Sequence, residues 1–79
     1  MPGPEPEDTD IDLLKYVRLV PRPFATANDV DERTAVGYKQ TRNRLDALVE
    51  QGLLRREKVG SVKLYWLSDA GEEALADST

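Results

Sequence analysis

The sequence contains no cysteine and no histidine. The absence of cysteine excludes disulfides, thiol chemistry and thiolate zinc sites, and the absence of histidine removes the commonest acid–base catalyst. A glycine-rich loop of the kind that cradles phosphates is also missing. From these absences we expect no metal site, no cofactor and no enzymatic activity. A small chain that needs no disulfide is expected in the cytoplasm.

Long apolar runs are missing as well. No stretch approaches the roughly 20 apolar residues that span a bilayer, and no signal-peptide core is present, so we expect no membrane partner. The 79 residues suffice for one small domain with a modest core. Residues 1–8 contain three of the five prolines and no apolar pattern, which predicts a disordered acidic tail. The domain is predicted over residues 9–76, followed by a short tail at 77–79.

Charge is distributed unevenly along this acidic chain. The formal net charge is -4, yet residues 33–63 contain eight basic and three acidic side chains. Residues 1–12 and 64–79 contain only acids among their charged residues. Because local fields govern the binding of a polyanion, the central block predicts a nucleic-acid partner despite the net charge. Acid excess with seven arginines and only four lysines also favours a protein of a high-salt, halophilic environment.

Apolar spacing and capping residues predict the secondary structure. One helix is expected to begin at Thr9 or Asp10, a second at Thr26, and a third is expected from Tyr38 to Gln51. Strands are predicted over 53–59 and 62–67 around the Gly60-Ser61 turn, and Ser68 is predicted to cap a last helix ending near Leu75. The predicted fold class is mainly α with a small β-hairpin (α+β), in the order α-α-α-β-β-α.

Three segments together resemble a known family. Residues 26–30 (TANDV) resemble the first helix of a helix-turn-helix, and residues 38–54 (YKQTRNRLDALVEQGLL) resemble a recognition helix with its Gly-Leu exit. Residues 65–71 (YWLSDAG) resemble the second wing strand running into the next helix, with Ser68 where the family has Thr. This pattern is similar to winged helix-turn-helix regulators of the MarR, ArsR and PadR types in prokaryotes. Those regulators usually carry extra helices that form a dimer interface, and no such helices are predicted among residues 9–76.

The third helix is predicted to bury Thr41, Leu45 and Leu48 and to expose the opposite face. On the resemblance this helix is a recognition helix, and such a helix reads base edges in the major groove from its N-terminal half. The residues predicted to contact bases are Lys39, Gln40 and Asn43. The residues predicted to contact phosphates are Arg42 and Arg44 on the helix and Arg55, Arg56, Lys58 and Lys63 on the wing.

The second strand has apolar residues on both faces. Alternation places Tyr65 and Leu67 toward the helices and Val62, Leu64 and Trp66 on the opposite face. Something is expected to cover that opposite face. The first helix could fold over it, or it could dock a second subunit or another protein.

The function implied is sequence-selective binding of double-stranded DNA by a transcriptional regulator associated with the nucleoid. The helix at about 38–51 would occupy the major groove, and the wing at about 54–67 would lie on the backbone or in the minor groove. The symmetry of duplex DNA favours a homodimer on two half-sites, and no small-molecule effector is expected. The alternative is a winged-helix module that binds protein within a larger assembly, which the acidic net charge favours. RNA binding is disfavoured because no open sheet presents stacking aromatics.

Overall fold

The structure, a computed structural model, describes residues 9–34 and 36–78, and the predicted acidic tail at 1–8 lies outside this range. The elements follow the order α-α-α-β-β-α that the sequence predicts. They are α1 (Asp10–Leu19), α2 (Ala27–Asp31), α3 (Tyr38–Glu50), β1 (Leu54–Val59), β2 (Val62–Leu67) and α4 (Asp69–Asp77).

Side-chain hydrogen bonds cap the N-termini of α1, α2 and α4. Thr9 and Thr26 each cap a helix through a capping box, in which the threonine hydroxyl accepts from the N3 backbone and the N3 aspartate accepts from the threonine N–H. Ser68 accepts from Gly71 N–H at the start of α4. α3 differs, since it begins after Gly37 with no side-chain cap. The three capped starts confirm the sequence signals.

Small differences from the sequence prediction occur at the ends of elements. α3 ends at Glu50, with Gln51 as its C-cap, and Gly52 then adopts a left-handed φ of 81° that favours glycine. β1 consequently begins at Leu54, one residue later than predicted. α4 continues to Asp77, two residues beyond the predicted end, so Asp77 belongs to the helix and not to a tail.

One apolar core unites the elements. Each helix and the hairpin contribute fully or nearly fully buried side chains: Leu13, Leu14, Val17, Val20, Ala25, Ala27, Val30, Leu45, Leu48, Leu54, Tyr65 and Leu75. Burial of this apolar surface is the main stabilising term for a domain of this size. Thr41 is buried beside these apolar side chains, and its hydroxyl lies 3.1 Å from that of Thr34.

The hairpin is a two-stranded antiparallel sheet with a short extension. Leu54 pairs with Leu67 at its base and Val59 pairs with Val62 at its tip. Ala25, just before α2, forms an isolated antiparallel bridge with Tyr65 through two backbone hydrogen bonds of 2.8 Å. This bridge ties the helical part of the domain to the hairpin. Three helices, a hairpin wing and a fourth helix in this arrangement form a winged helix-turn-helix fold.

Candidate nucleic-acid interface

The polar face of α3 is exposed over its N-terminal half. Thr41, Leu45 and Leu48 are fully buried, as predicted from their spacing. Lys39, Gln40 and Asn43 are exposed, as is Ala47 further along. The helix therefore presents the three predicted base-contacting side chains to the outside while its apolar stripe anchors it to the core.

These three residues also share one surface depression. It has a volume of about 510 Å³ at the start of α3 and is lined by Val36, Gly37, Tyr38, Lys39, Gln40 and Asn43. The structure thus places the lysine, glutamine and asparagine around one concavity. One cationic side chain and two amides next to one another can recognise a phosphate or a base edge through hydrogen bonds.

A second cleft lies between α2, α3 and the wing. Its volume is about 340 Å³, and its lining residues are Thr26, Ala27, Asn28, Tyr38, Arg42, Ser61, Val62, Lys63 and Tyr65. Arg42 from α3 and Lys63 from β2 face the same space, which shows that helix and wing share one side of the molecule. Sequence analysis did not predict a cleft here.

Strand register divides the wing cations between two faces. Residues opposite each other in an antiparallel pair lie on the same face, and successive residues alternate. Arg56 pairs with Tyr65 and Lys58 pairs with Lys63, so these cations lie on the face toward α3. Arg55 pairs with Trp66 on the opposite face. The register therefore places Arg55 apart from the other three predicted phosphate-contacting residues of the wing.

We call the face of the wing toward α3 the inner face and the opposite one the outer face. Two cations of the inner face lie directly opposite each other. Lys58 and Lys63 are cross-strand neighbours, one step from the hairpin tip. Like charges directly opposite each other repel and destabilise a hairpin. An anion bound beside them would offset that repulsion.

Asp46 on α3 joins the helix to both strands of the wing. Its Oδ1 accepts hydrogen bonds from Arg56 Nη1 at 2.8 Å and from the Tyr65 hydroxyl at 2.7 Å. Its Oδ2 lies 3.6 Å from Lys63 Nζ. One carboxylate thus contacts a cation from β1, a cation from β2 and the buried tyrosine.

The contacts of Asp46 shift its own pKa and that of Tyr65 in opposite directions. Partial burial raises the pKa of Asp46, but the hydrogen bonds from Tyr65 and Arg56 and the charge of Lys63 outweigh it, so the pKa lies below its ordinary value. Burial raises the pKa of the Tyr65 hydroxyl, and the hydrogen bond to the Asp46 carboxylate raises it further. At neutral pH Asp46 is therefore charged and Tyr65 is a neutral donor.

Arg44 lies elsewhere on the molecule. Its guanidinium pairs with Asp10 at 3.1 Å, at the start of α1, and its side chain is only 23% exposed. This pair directs the Arg44 guanidinium toward α1, whereas Arg42 lines the cleft beside the wing. The predicted phosphate set therefore separates into an inner group of Arg42, Lys58, Arg56 and Lys63, and two residues outside it, Arg44 beside α1 and Arg55 on the opposite face of the wing.

The outer face of the wing carries Leu64 and Trp66, as the alternation predicts. Both side chains are half-buried, and neither belongs to the core or to the apolar residues packed against it. Tyr65 on the inner face is fully buried.

The role of Asp46 was not predicted from the sequence, in which it is one acid within a basic block, although the faces of β2 were. Its contacts join positions 10 and 19 residues apart, for which the sequence has no local signal.

Residues 9–34 and 36–78 contain neither a metal-binding cluster nor a membrane-spanning helix. No group of three acidic side chains that could hold a metal ion occurs in this range. No helix in the same range combines the length and apolarity needed to cross a membrane.

No family model and no curated protein sequence matches the chain. Among solved structures, the chain is similar to BpsR of Bordetella bronchiseptica, from a study of how 6-hydroxynicotinic acid regulates DNA binding by that protein. The TM-score is 0.76 at 18% sequence identity, over 89% of this chain and 50% of the BpsR chain. This chain thus spans about half the length of that relative. At this identity the likeness establishes the fold.

Proposed function

We propose that this domain binds double-stranded DNA and regulates transcription by occupying a promoter. The observation that carries the proposal is the cleft in which Arg42 of α3 and Lys63 of the wing face the same space. A helix and a β-ribbon that project cations from one side match the geometry of a duplex, whose major groove admits the helix while the ribbon follows the backbone. The fold shared with BpsR, a protein whose DNA binding is regulated, supports the proposal.

In this proposal α3 enters the major groove with Lys39, Gln40 and Asn43 at the base edges. Glutamine and asparagine can each form two hydrogen bonds with adenine, and lysine can donate to guanine. Binding is therefore sequence-selective. This group of side chains is exposed and lies around one depression, which supports a common role.

The inner group of cations (Arg42, Arg56, Lys58 and Lys63) contacts phosphates. Arg56 and Lys63 retain further donor hydrogens beyond those directed at Asp46, because guanidinium carries five and ammonium three. The positive charges of Lys58 and Lys63, directly opposite each other, favour an anion beside them. Arg55 lies on the opposite face and Arg44 beside α1, so we assign neither to the phosphate set.

The proposal extends to a homodimer and to the place in the cell where the protein acts. A homodimer on two half-sites would place two copies of α3 in successive major grooves, about one helical turn apart. The outer face with Leu64 and Trp66 is then available to the second subunit. Regulation by promoter occupancy requires the protein in the cytoplasm with the nucleoid, and the proposal involves neither catalysis nor a small-molecule effector.

A titration of labelled random-sequence duplex DNA at several salt concentrations tests this function. Four phosphate contacts predict that log K falls with log salt with a slope of about -3.6, since each contributes about 0.9. Absence of binding even at low salt would refute DNA binding and favour the protein-docking module.

Two variants that remove the same charge from opposite faces of the wing form a matched pair. Lys58→Gln should reduce the magnitude of the salt slope by about 0.9, because it deletes one phosphate contact. Arg55→Gln should leave the slope unchanged. Equal changes in both variants would contradict the assignment of the inner face to DNA.

A further inference from the structure

Asp46 is an acid placed within the surface proposed to bind a polyanion. It follows Arg42 by four residues and Asn43 by three, so all three lie on neighbouring positions of the same side of α3. A carboxylate there opposes DNA binding on Coulombic grounds alone. Its contacts with Arg56, Tyr65 and Lys63 give it a different role.

The wing needs an attachment of this kind. A two-stranded hairpin is at best marginally stable by itself, so its orientation depends on what it packs against. The base of this wing is held in the core by Leu54 and Tyr65, but Lys58, Val59 and Val62 further out are exposed. Asp46 contacts the wing at the level of the Arg56–Tyr65 pair, two positions before the Lys58–Lys63 pair near the tip.

We propose that Asp46 is a positioning residue that fixes the orientation of the wing relative to α3, so that the helix and the inner-face cations meet one duplex together. The Tyr65 ring is fully buried, and its hydroxyl therefore offers a fixed donor 2.7 Å from Asp46 Oδ1. Arg56 and Lys63 are held by the same carboxylate and keep their remaining donors for phosphates. The inference rests on the proposed function and adds a determinant of affinity to it.

The direction in which Asp46→Asn changes the affinity for DNA distinguishes a positioning role of Asp46 from a purely electrostatic one. Asp46→Asn removes a negative charge near DNA, which by itself strengthens binding to a polyanion. Loss of the wing's fixed orientation weakens binding, because the phosphate contacts must then be organised upon association. Glu57→Gln is the matched control, since Glu57 is an exposed acid on the wing and is also replaced by its amide.

Affinity for random-sequence duplex DNA is measured for the wild type and both variants across a salt series. Asp46→Asn should weaken binding about tenfold and reduce the salt slope by about 0.9–1.8, equivalent to one or two lost phosphate contacts. Glu57→Gln should bind slightly more tightly than the wild type. Unchanged or tighter binding by Asp46→Asn would overturn the proposal.

A second variant and a measurement without DNA complete the test. Tyr65→Phe keeps the Asp46 carboxylate and the core ring but removes one hydrogen bond, and it should weaken binding less than Asp46→Asn does. In the free protein, backbone ¹⁵N relaxation and residual dipolar couplings should show one rigid body for the wild type. They should show a reoriented or more mobile wing over residues 54–67 in Asp46→Asn. A wing unaltered in Asp46→Asn would overturn the inference even if DNA binding itself is confirmed, whereas a wild type that does not bind DNA would refute the proposed function alone.

Discussion

At the scale of single residues, Gly71 shows how one missing methyl group permits a close approach between elements. A Cβ at Gly71 would lie 2.1 Å from the carbonyl oxygen of Leu53, which is backbone and cannot move aside cheaply. The same carbonyl accepts a hydrogen bond from Ser68 N–H at 3.2 Å. The start of α4 is thus packed directly onto the exit from α3 toward the wing.

Gly71→Ala should destabilise the domain, although the same substitution in an open helix normally stabilises it. The overpacking should lower the free energy of unfolding by about 1–3 kcal/mol, as measured by chemical denaturation. Glu73→Ala, at an exposed position of α4, controls for helix propensity and should change stability by less than about 0.5 kcal/mol. A Gly71→Ala variant at least as stable as the wild type would show that α4 does not pack as described.

At the scale of the element, the capping boxes of α1 and α2 make stability depend on pH. Burial raises the pKa of Asp29, but hydrogen bonds from Thr26 and the charge and hydrogen bond of Arg22 outweigh it, so its pKa is lowered. The pKa of Asp12 is also lowered, chiefly by the hydrogen bond from the Thr9 backbone. A carboxyl whose folded pKa is lowered stabilises the fold above its unfolded pKa of about 3.9. That contribution is lost as the pH falls through the folded pKa.

Asp29→Asn should therefore be less stable than the wild type at pH 7, by about 1 kcal/mol, because the charged half of the capping box and the Arg22 pair are lost. The difference should shrink as the pH falls below about 4, as the wild-type carboxyl becomes protonated. Urea denaturation at pH 7 and pH 3 measures both values. The exposed neutral substitution Asn28→Ser should give the same difference at both pH values, and a pH-independent difference for Asp29→Asn would contradict the described role of the carboxylate.

Elements with local signals were predictable from the sequence. Thr26, the glycine at position 52 and the Gly60-Ser61 turn each act within a few residues, and the structure has a helix start, a helix end and a hairpin tip at these places. The Ala25–Tyr65 bridge and the contacts of Asp46 join segments far apart in the chain. Alternation along β1 already separates Arg55 from Lys58, but only the strand register shows that Lys58 shares a face with Lys63 of β2.

At the scale of the whole molecule, the acids of α4 lie away from the helix–wing cleft. α4 packs mainly against α1 and β2, and its Glu72 pairs with Arg18 of α1 at 3.3 Å. Arg42 and Lys63 instead face the cleft between α2, α3 and the wing. Segregation of charge in this way lets an acidic protein bind a polyanion through one side.

The central claim is that α3 and the inner face of the wing meet one duplex together. The most direct measurement is a backbone amide chemical-shift map of the ¹⁵N-labelled protein, titrated with duplex DNA at low salt. We predict the largest shifts at Lys39, Gln40 and Asn43, with a second group around Gly60 and Lys63. Shifts confined to Leu64 and Trp66 would place the binding surface on the outer face of the wing and contradict this account.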